Sequence, residues 1–261
     1  MGKITNALKK AAEDRISRID KITKIKERDQ LVVRKIGESK VDANVVTYFD
    51  SKALISEQYK ILRTNLLSMN KSKPPRSVVI TSSLHSEGKT VTALNLAFSL
   101  GQAMHKPRVV LIDADMRRGR VAKYLGVVQK FGLSDFLQGQ CNQEDIVFNL
   151  DYENLSFVSA GSVPENPAEL LASDKMKSLL SDLRLQFDHV LIDTPPIIAV
   201  TDSGILGPQT DGVLMVIQAG RTQRGIIRRA EELLAQTQSK VLGHVLTNIE
   251  YHLPEYIYRY L

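Results

Sequence analysis

Cys141 is the only cysteine in this 261-residue chain. No internal disulfide can form, and a reducing compartment is the expected setting. No apolar run approaches the roughly 18 residues that a membrane-crossing helix needs. The basic N-terminus lacks the continuous apolar core of a secretory signal. These absences point to a cytoplasmic protein. A charge surplus is also missing from most of the chain. Residues 1–40 hold 12 Lys/Arg against 6 Asp/Glu, whereas residues 41–261 hold 23 of each. The net charge of +6 therefore belongs to the leader, and the remainder carries no basic footprint for nucleic acid.

One further lack lies inside the most informative stretch. Val78–Ile80 is apolar and β-branched, and it runs into Thr81-Ser82-Ser83-Leu84-His85-Ser86-Glu87-Gly88-Lys89-Thr90. An apolar helical pattern follows at Leu94, Ala97, Phe98 and Leu100. This is the strand, loop and helix order of a P-loop, although Ser83 stands where that pattern has its first glycine. In such a loop, backbone N–H groups and the helix N-terminus cradle phosphate. Gly88 permits close approach, Lys89 reaches the β- and γ-phosphates, and the Thr90 hydroxyl ligates Mg²⁺. Ser83, Ser86, Glu87, Gly88, Lys89, Thr90 and Val91 are thus the candidate nucleotide-binding residues. A lysine at a helix start opposes the helix dipole unless an anion lies beside it.

Around this stretch the chain alternates strand and helix. Strand candidates are Ser77–Ile80, Arg108–Ile112, Leu155–Val158, His189–Ile192, Gly212–Ile217 and Val241–Leu246. Near-continuous Val/Ile/Leu runs suit a mostly parallel sheet buried on both faces, the core of a doubly wound α/β fold. Upstream, Ser56 reads as an N-cap and a helix follows through Tyr59, Ile61, Leu62, Leu66 and Leu67. Glu57, Lys60 and Arg63 recur every three residues on it, as a charged ridge. Residues 1–50 read as a basic extension and linker. Its Ile4, Leu8, Ala12, Ile16, Ile19, Ile22 and Ile25 follow helical spacing. Such a helix suits peripheral contact with an anionic membrane or docking on a partner. A solvated arm fits the same narrow stripe. Residues 51–250 read as the catalytic domain and 251–261 as a tail.

Ligands of doubly wound folds sit beyond the carboxyl ends of the strands. Asp113-Ala-Asp115-Met-Arg117 follows one strand, and Asp193-Thr-Pro-Pro follows another, in the Walker B manner. Lys89, Asp113, Asp115 and Asp193 are the candidate catalytic set for phosphoryl transfer, which needs a held metal, an oriented nucleophile and neutralised charge. The tail holds four of the eight tyrosines in eleven residues: Tyr251, Tyr256, Tyr258 and Tyr260. Their alternation fits an edge strand, but chain ends are poorly ordered unless tied down, which favours an exposed tail.

Together these motifs resemble the bacterial tyrosine kinases of capsule and exopolysaccharide export, over about residues 50–261. The matching segments are Ser82–Thr90, Asp113-x-Asp115-x-Arg117, Val190–Asp193, Pro164–Leu171 and the tyrosine tail. The resemblance implies a P-loop fold of the deviant Walker A, partitioning-ATPase-like branch. It implies ATP and Mg²⁺ as cofactors, with Thr90, Asp193 and Asp115 at the metal and Asp113 as base toward tyrosine. It puts Asn248 against adenine. It implies autophosphorylation in trans at Tyr251, Tyr256, Tyr258 and Tyr260 within a homo-oligomeric ring. Glu57, Lys60 and Arg63 would bridge the subunits, with Lys60 replacing the family's first arginine and losing its bidentate fork. A membrane polysaccharide co-polymerase, acting through its cytoplasmic tail, is the implied adaptor that brings the protein to the inner face of the plasma membrane. The rival reading is a positioning ATPase that binds DNA or membrane without kinase activity. Proteins of that type resemble the same fold but carry a further lysine at the position of Leu84, and they lack a tyrosine tail.

Overall fold

Alternate residues of each central strand face opposite ways, and the helices follow that division. The computed structural model describes residues 41–70, 72, 74–150 and 154–249. Its strands are β1 (Ser77–Ser82), β2 (Val109–Asp113), β3 (Phe148–Asn149), β4 (Leu155–Val158), β5 (His189–Asp193), β6 (Gly212–Gln218) and β7 (Val241–Thr247). They form one sheet in the order β3-β4-β2-β5-β1-β6-β7. Every pairing is parallel except that of β3 with β4. All six strands expected from the sequence are present, within two residues at each end.

The helices are α1 (Val46–Phe49), α2 (Leu54–Ser68), α3 (Lys89–Gly101), α4 (Val121–Leu125), α5 (Leu133–Leu137), α6 (Pro167–Ala172), α7 (Asp174–Gln186), α8 (Asp202–Leu206) and α9 (Arg224–Gln236). On one face, Val78, Ile80, Leu111, Phe157, Leu191 and Leu214 pack with Leu66 of α2 and with Leu94, Ala97 and Phe98 of α3. On the other, Val79, Val110, Ile112, Val190, Ile192 and Met215 pack with Leu179 and Leu183 of α7 and Leu234 of α9. Burial on both faces is the reason the strands read as unbroken apolar runs.

Two expectations need correction. Ser56 is not an N-cap: α2 begins at Leu54 with Ala53 at the cap, and the Ser56 hydroxyl donates to the Asp50 carbonyl at 2.6 Å. Nor is the end of the extension a linker. Val45 and Thr47 are fully buried, and Tyr48 meets Phe98 edge to face with ring centroids 5.5 Å apart. Asn95 of α3 holds the segment in place. Its Oδ1 accepts from the Thr47 N–H at 2.9 Å and hydroxyl at 2.8 Å. Its Nδ2 donates to the Asn44 and Val91 carbonyls, both at 2.9 Å. A four-residue helix is too short to show a period, which is why the segment looked patternless.

Asn95→Ala leaves the buried Thr47 donors without an acceptor. Each such group costs about 1–3 kcal/mol, so the variant should lose roughly 2–4 kcal/mol, about 5–10 °C in midpoint for a domain of this size. Calorimetry checks this, and a loss below about 1 kcal/mol would show that Asn95 does not anchor the segment.

Candidate active site

The sheet order brings the functional strand ends together. β5 lies between β2 and β1, with Asp193 paired in register with Asp113 on one side and Ile80 on the other. The loop after β1 therefore sits beside both aspartate-bearing ends. Beyond Ser82, the backbone takes left-handed φ at Ser86 (65°) and Gly88 (92°), and α3 starts at Lys89.

The loop is fastened from behind. Glu87 is 2% exposed, and its carboxylate accepts from the Leu84 N–H at 2.6 Å, the Gln218 N–H at 3.4 Å and the Thr222 hydroxyl. Its side chain thus ties the loop to the β6–α9 connection and is not directed at a ligand. Thr247 at the end of β7 donates to the Glu87 carbonyl at 2.8 Å. A Cβ on Gly88 would lie 3.4 Å from the Thr247 methyl. Asn248, one residue on, is exposed with φ 52°, at the rim set by Thr247.

Lys89 Nζ lies 3.1 Å from Asp115 Oδ2 and 3.7 Å from Asp193 Oδ1. Those carboxylates supply the anion that a cation at a helix start requires. Burial alone would lower the Lys89 pKa, but Asp193 and Asp115 outweigh it and raise it. The Thr90 hydroxyl donates to Asp193 Oδ2 at 2.6 Å. Asp113 accepts from the Asp115 N–H at 3.2 Å and from the Val121 N–H at 2.9 Å. It is 1% exposed, and burial, with Asp193 adding to it, pushes its pKa up to about 7. Burial also raises Asp193, against the pull of Lys89 and Thr90. Four groups with competing demands on two or three charges are the usual composition of a transfer site.

Mg²⁺ fits these residues. Asp193 Oδ1 is buried and makes no hydrogen bond, an oxygen that a hard cation would satisfy. It lies on the carboxylate that also holds Thr90. Among the described residues no three His, Cys, Asp or Glu side chains converge as a metal cage. Mg²⁺ does not need one, because it keeps several waters and binds through one or two carboxylates plus phosphate. The cleft over the loop, about 110 Å³, is lined by His85, Ser86, Gly88, Lys89, Asp115, Arg118, Arg120 and Tyr124. A larger cleft of about 1020 Å³, lined in part by Arg108, Asn154, Asp182 and Phe187, lies at the opposite, amino ends of β2 and β4.

The structure thus brings together Ser83, Ser86, Glu87, Gly88, Lys89, Thr90, Val91, Asp113, Asp115 and Asp193, with Asn248 at the rim. The ridge on α2 stands apart. Lys60 pairs with Glu57 at 2.7 Å, and the Arg63 guanidinium donates to the Ser99 carbonyl of α3. Tyr251, Tyr256, Tyr258 and Tyr260, and the helical leader over 1–40, lie outside the described residues. Sequence reasoning missed the Glu87 clamp, the Thr247 contact and Asp202. Arg117 Nε faces Asp202 Oδ2 at 3.9 Å. An aspartate opening a helix nine residues after Asp193 carries only the signal of a cap, which hides it.

A family model described as an AAA domain matches residues 78–242. The chain is 38% identical over 216 residues to the tyrosine-protein kinase YwqD of Bacillus subtilis (strain 168), covering 83% of this chain and 90% of that one. It is 32% identical to the putative tyrosine-protein kinase CapB of Staphylococcus aureus, over 76% of this chain and 86% of that one. Among solved structures, the chimerical protein CapA2B2 aligns with a TM-score of 0.76 at 28% identity, over 81% of this chain and 93% of that one.

Proposed function

Because the chain belongs to the bacterial tyrosine-protein kinases, we propose that it transfers the γ-phosphoryl group of ATP to tyrosine. Its first acceptors are Tyr251, Tyr256, Tyr258 and Tyr260 on another copy of itself. The observation that carries this reading is Asp113, a buried carboxylate held near neutrality beside Lys89. A tyrosine hydroxyl, with a pKa of about 10, must lose its proton as the phosphoryl group arrives. A base of pKa near the working pH is suited to take it.

In this reading the loop N–H groups and Lys89 bind the β- and γ-phosphates. Thr90 and Asp193, supported by Asp115, hold Mg²⁺, which supplies charge neutralisation across the phosphates when bound. Lys89 would add a second positive charge at the same phosphates. Asp113 Oδ2 is covered by Gly119, where a Cβ would come within 3.0 Å of it. A side chain there would also come within 2.5 Å of the Ala160 methyl, so glycine is what lets this turn close over the carboxylate of Asp113. Asn248 at the rim contacts adenine.

Assembly in trans uses α2, where Leu54 and Ile61 are each 52% exposed on the same helix as Glu57, Lys60 and Arg63. Since Arg63 already bonds its own α3, ring contacts through it require an exchange of partners. A polysaccharide co-polymerase in the membrane is the proposed adaptor. No helix among the described residues is long and apolar enough to cross a membrane, so recruitment comes through that adaptor and the basic leader. The proposed role is control of capsule or exopolysaccharide synthesis and export.

The test is intact mass after incubation with Mg²⁺ and ATP, with adaptor tail added where the chain alone is unreactive. Gains in phosphate steps mapping to the four tail tyrosines, and absent when Lys89 is replaced by methionine, are expected. ATP consumed without any mass gain would move the protein to the positioning-ATPase reading.

A further inference from the structure

The reading above leaves the arginines on the wall of the nucleotide cleft without a task. Arg118 and Arg120 line the cleft over the phosphate loop, together with Lys89 and Asp115. Both are exposed, and among the described residues neither guanidinium makes an ion pair or a hydrogen bond. Their backbone, in contrast, is tied down. The Arg118 N–H donates to Asp115 Oδ1 at 3.0 Å. The Val121 N–H donates to Asp113 Oδ2 at 2.9 Å, and the Tyr124 N–H donates to the Arg120 carbonyl at 2.9 Å. The turn is held against the aspartates, while both planar forks stay open for an anion.

The sheet order sets which reactant these arginines meet. In the order β2-β5-β1-β6-β7, the turn after β2 lies on one side of the loop after β1. Thr247 and Asn248, at the end of β7, lie on the other. With adenine on the β7 side, the leaving oxygen of the nucleotide faces that side too. Phosphoryl transfer is in line, so the acceptor oxygen arrives from the opposite direction, past the β2 turn. Whatever flanks an acceptor tyrosine is then read against Arg118 and Arg120. The tail offers flanks of both signs: Tyr251 follows Glu250 and Tyr256 follows Glu255, whereas Tyr258 precedes Arg259 and Tyr260 follows it.

We propose that Arg118 and Arg120 choose the acceptor by binding a carboxylate next to the tyrosine, so that Tyr251 and Tyr256 are phosphorylated before Tyr258 and Tyr260. The substrate class is a tyrosine with an adjacent acidic side chain. This rests on the tyrosine-kinase reading above. A guanidinium fork takes both oxygens of a carboxylate, and the same pair repels Arg259, so selection has an attractive and a repulsive part. The transfer step is the one already proposed. The bond from the γ-phosphorus to the bridging oxygen of ATP breaks, and a bond to the phenolic oxygen forms. The phenol's proton passes to Asp113, and ADP departs with the electron pair. Arg118 and Arg120 touch none of the reacting atoms; they set specificity.

The experiment uses the full chain with adaptor tail, Mg²⁺ and ATP, and follows the initial rate of phosphate gain at each tail tyrosine by peptide mass. In the parent, Tyr251 and Tyr256 should fill about tenfold faster than Tyr258 and Tyr260. Arg118→Glu with Arg120→Glu should invert that order, which a misfolded protein cannot do. Glu250→Gln with Glu255→Gln should slow Tyr251 and Tyr256 to within about threefold of the other two. The same change should add little where both arginines are already glutamine, because partners in one contact are not additive. In that glutamine variant, affinity for a non-hydrolysable ATP analogue should stay within about threefold of the parent. Parent rates within about threefold of one another at all four tyrosines, or the parent's order kept by the glutamate variant, overturn the proposal and leave the kinase reading standing. Analogue affinity reduced more than about tenfold in the glutamine variant, with all four tyrosines slowed alike, also overturns it and assigns the arginines to the nucleotide. A parent that gains phosphate on no tyrosine overturns both.

Discussion

Replacing Lys89 with methionine should reduce phosphoryl transfer by at least about 10³-fold, the scale on which a cation stabilising a transferring phosphoryl group acts. Lys89 is the ammonium ion that Asp115 and Asp193 share, at 3.1 and 3.7 Å, so its loss has a second consequence in the protein without nucleotide. Asp113 and Asp193 already have raised pKa values, chiefly from burial, and Lys89 opposes that rise in both. Without it the rise grows. The sign of the resulting stability change follows from linkage. A carboxylate raised in the folded state costs nothing below its unfolded pKa, accumulates a penalty as pH climbs from there to the folded pKa, and carries the full penalty above it. For Asp113, at about 7, the penalty for ionising reaches about 4 kcal/mol above neutrality, at 1.36 kcal/mol per unit. The parent protein should therefore melt lower at pH 8 than at pH 5, and Lys89→Met should widen that gap. Turnover within about tenfold of the parent, or a gap that narrows, would show that Lys89 is not the balancing charge.

The same charge balance explains which parts of the molecule could be read from its residues. Strands buried on both faces must be apolar at every position, so the six parallel strands stood out. β3 did not, because it is two residues long, antiparallel and exposed at the edge, with Phe148 at 46%. Asp113, Asp115 and Asp193 were legible because charged side chains at the ends of apolar strands are costly unless they act, and Lys89 and Thr90 because they close the small, polar loop between β1 and α3. Ser83 was legible only through its neighbours: it replaces a glycine, and its buried hydroxyl makes no hydrogen bond.

What could not be read depends on contacts across long stretches of chain. Glu87 appears in sequence as an acidic loop residue beside a phosphate site, an awkward place for a negative charge. Only the fold shows its carboxylate turned back on Leu84, Gln218 and Thr222. Thr47 and Asn95 lie 48 residues apart, and neither has a local pattern that marks the other. Arg117 was visible as part of a motif but Asp202 was not, because an aspartate at a helix start is common for capping reasons alone.

Asp113→Asn should lower kcat by about 10²–10⁴-fold, the usual range for removing a general base, and it should do so without weakening the nucleotide cradle. Asparagine keeps the size of the side chain, and its carbonyl can still accept one of the two backbone N–H groups, from Asp115 or Val121, that Asp113 now holds. It cannot accept a proton. In the parent enzyme kcat/KM should rise about tenfold per pH unit below neutrality and level off above about 7, where burial has set the Asp113 pKa, because the base works only in its ionised form. The variant should lose that ascending limb, leaving a low rate that changes little between pH 5 and 8. Folding should respond in the opposite sense. With the raised carboxyl removed, the variant should melt higher than the parent at pH 8, where the parent must keep Asp113 ionised in a buried site, and the advantage should fade toward pH 5. Steady-state transfer to tyrosine and melting curves, taken across the same pH series, test both. A variant that keeps the parent's ascending limb would place the base elsewhere, with Asp193, the other raised carboxylate in the cluster, as the next residue to replace.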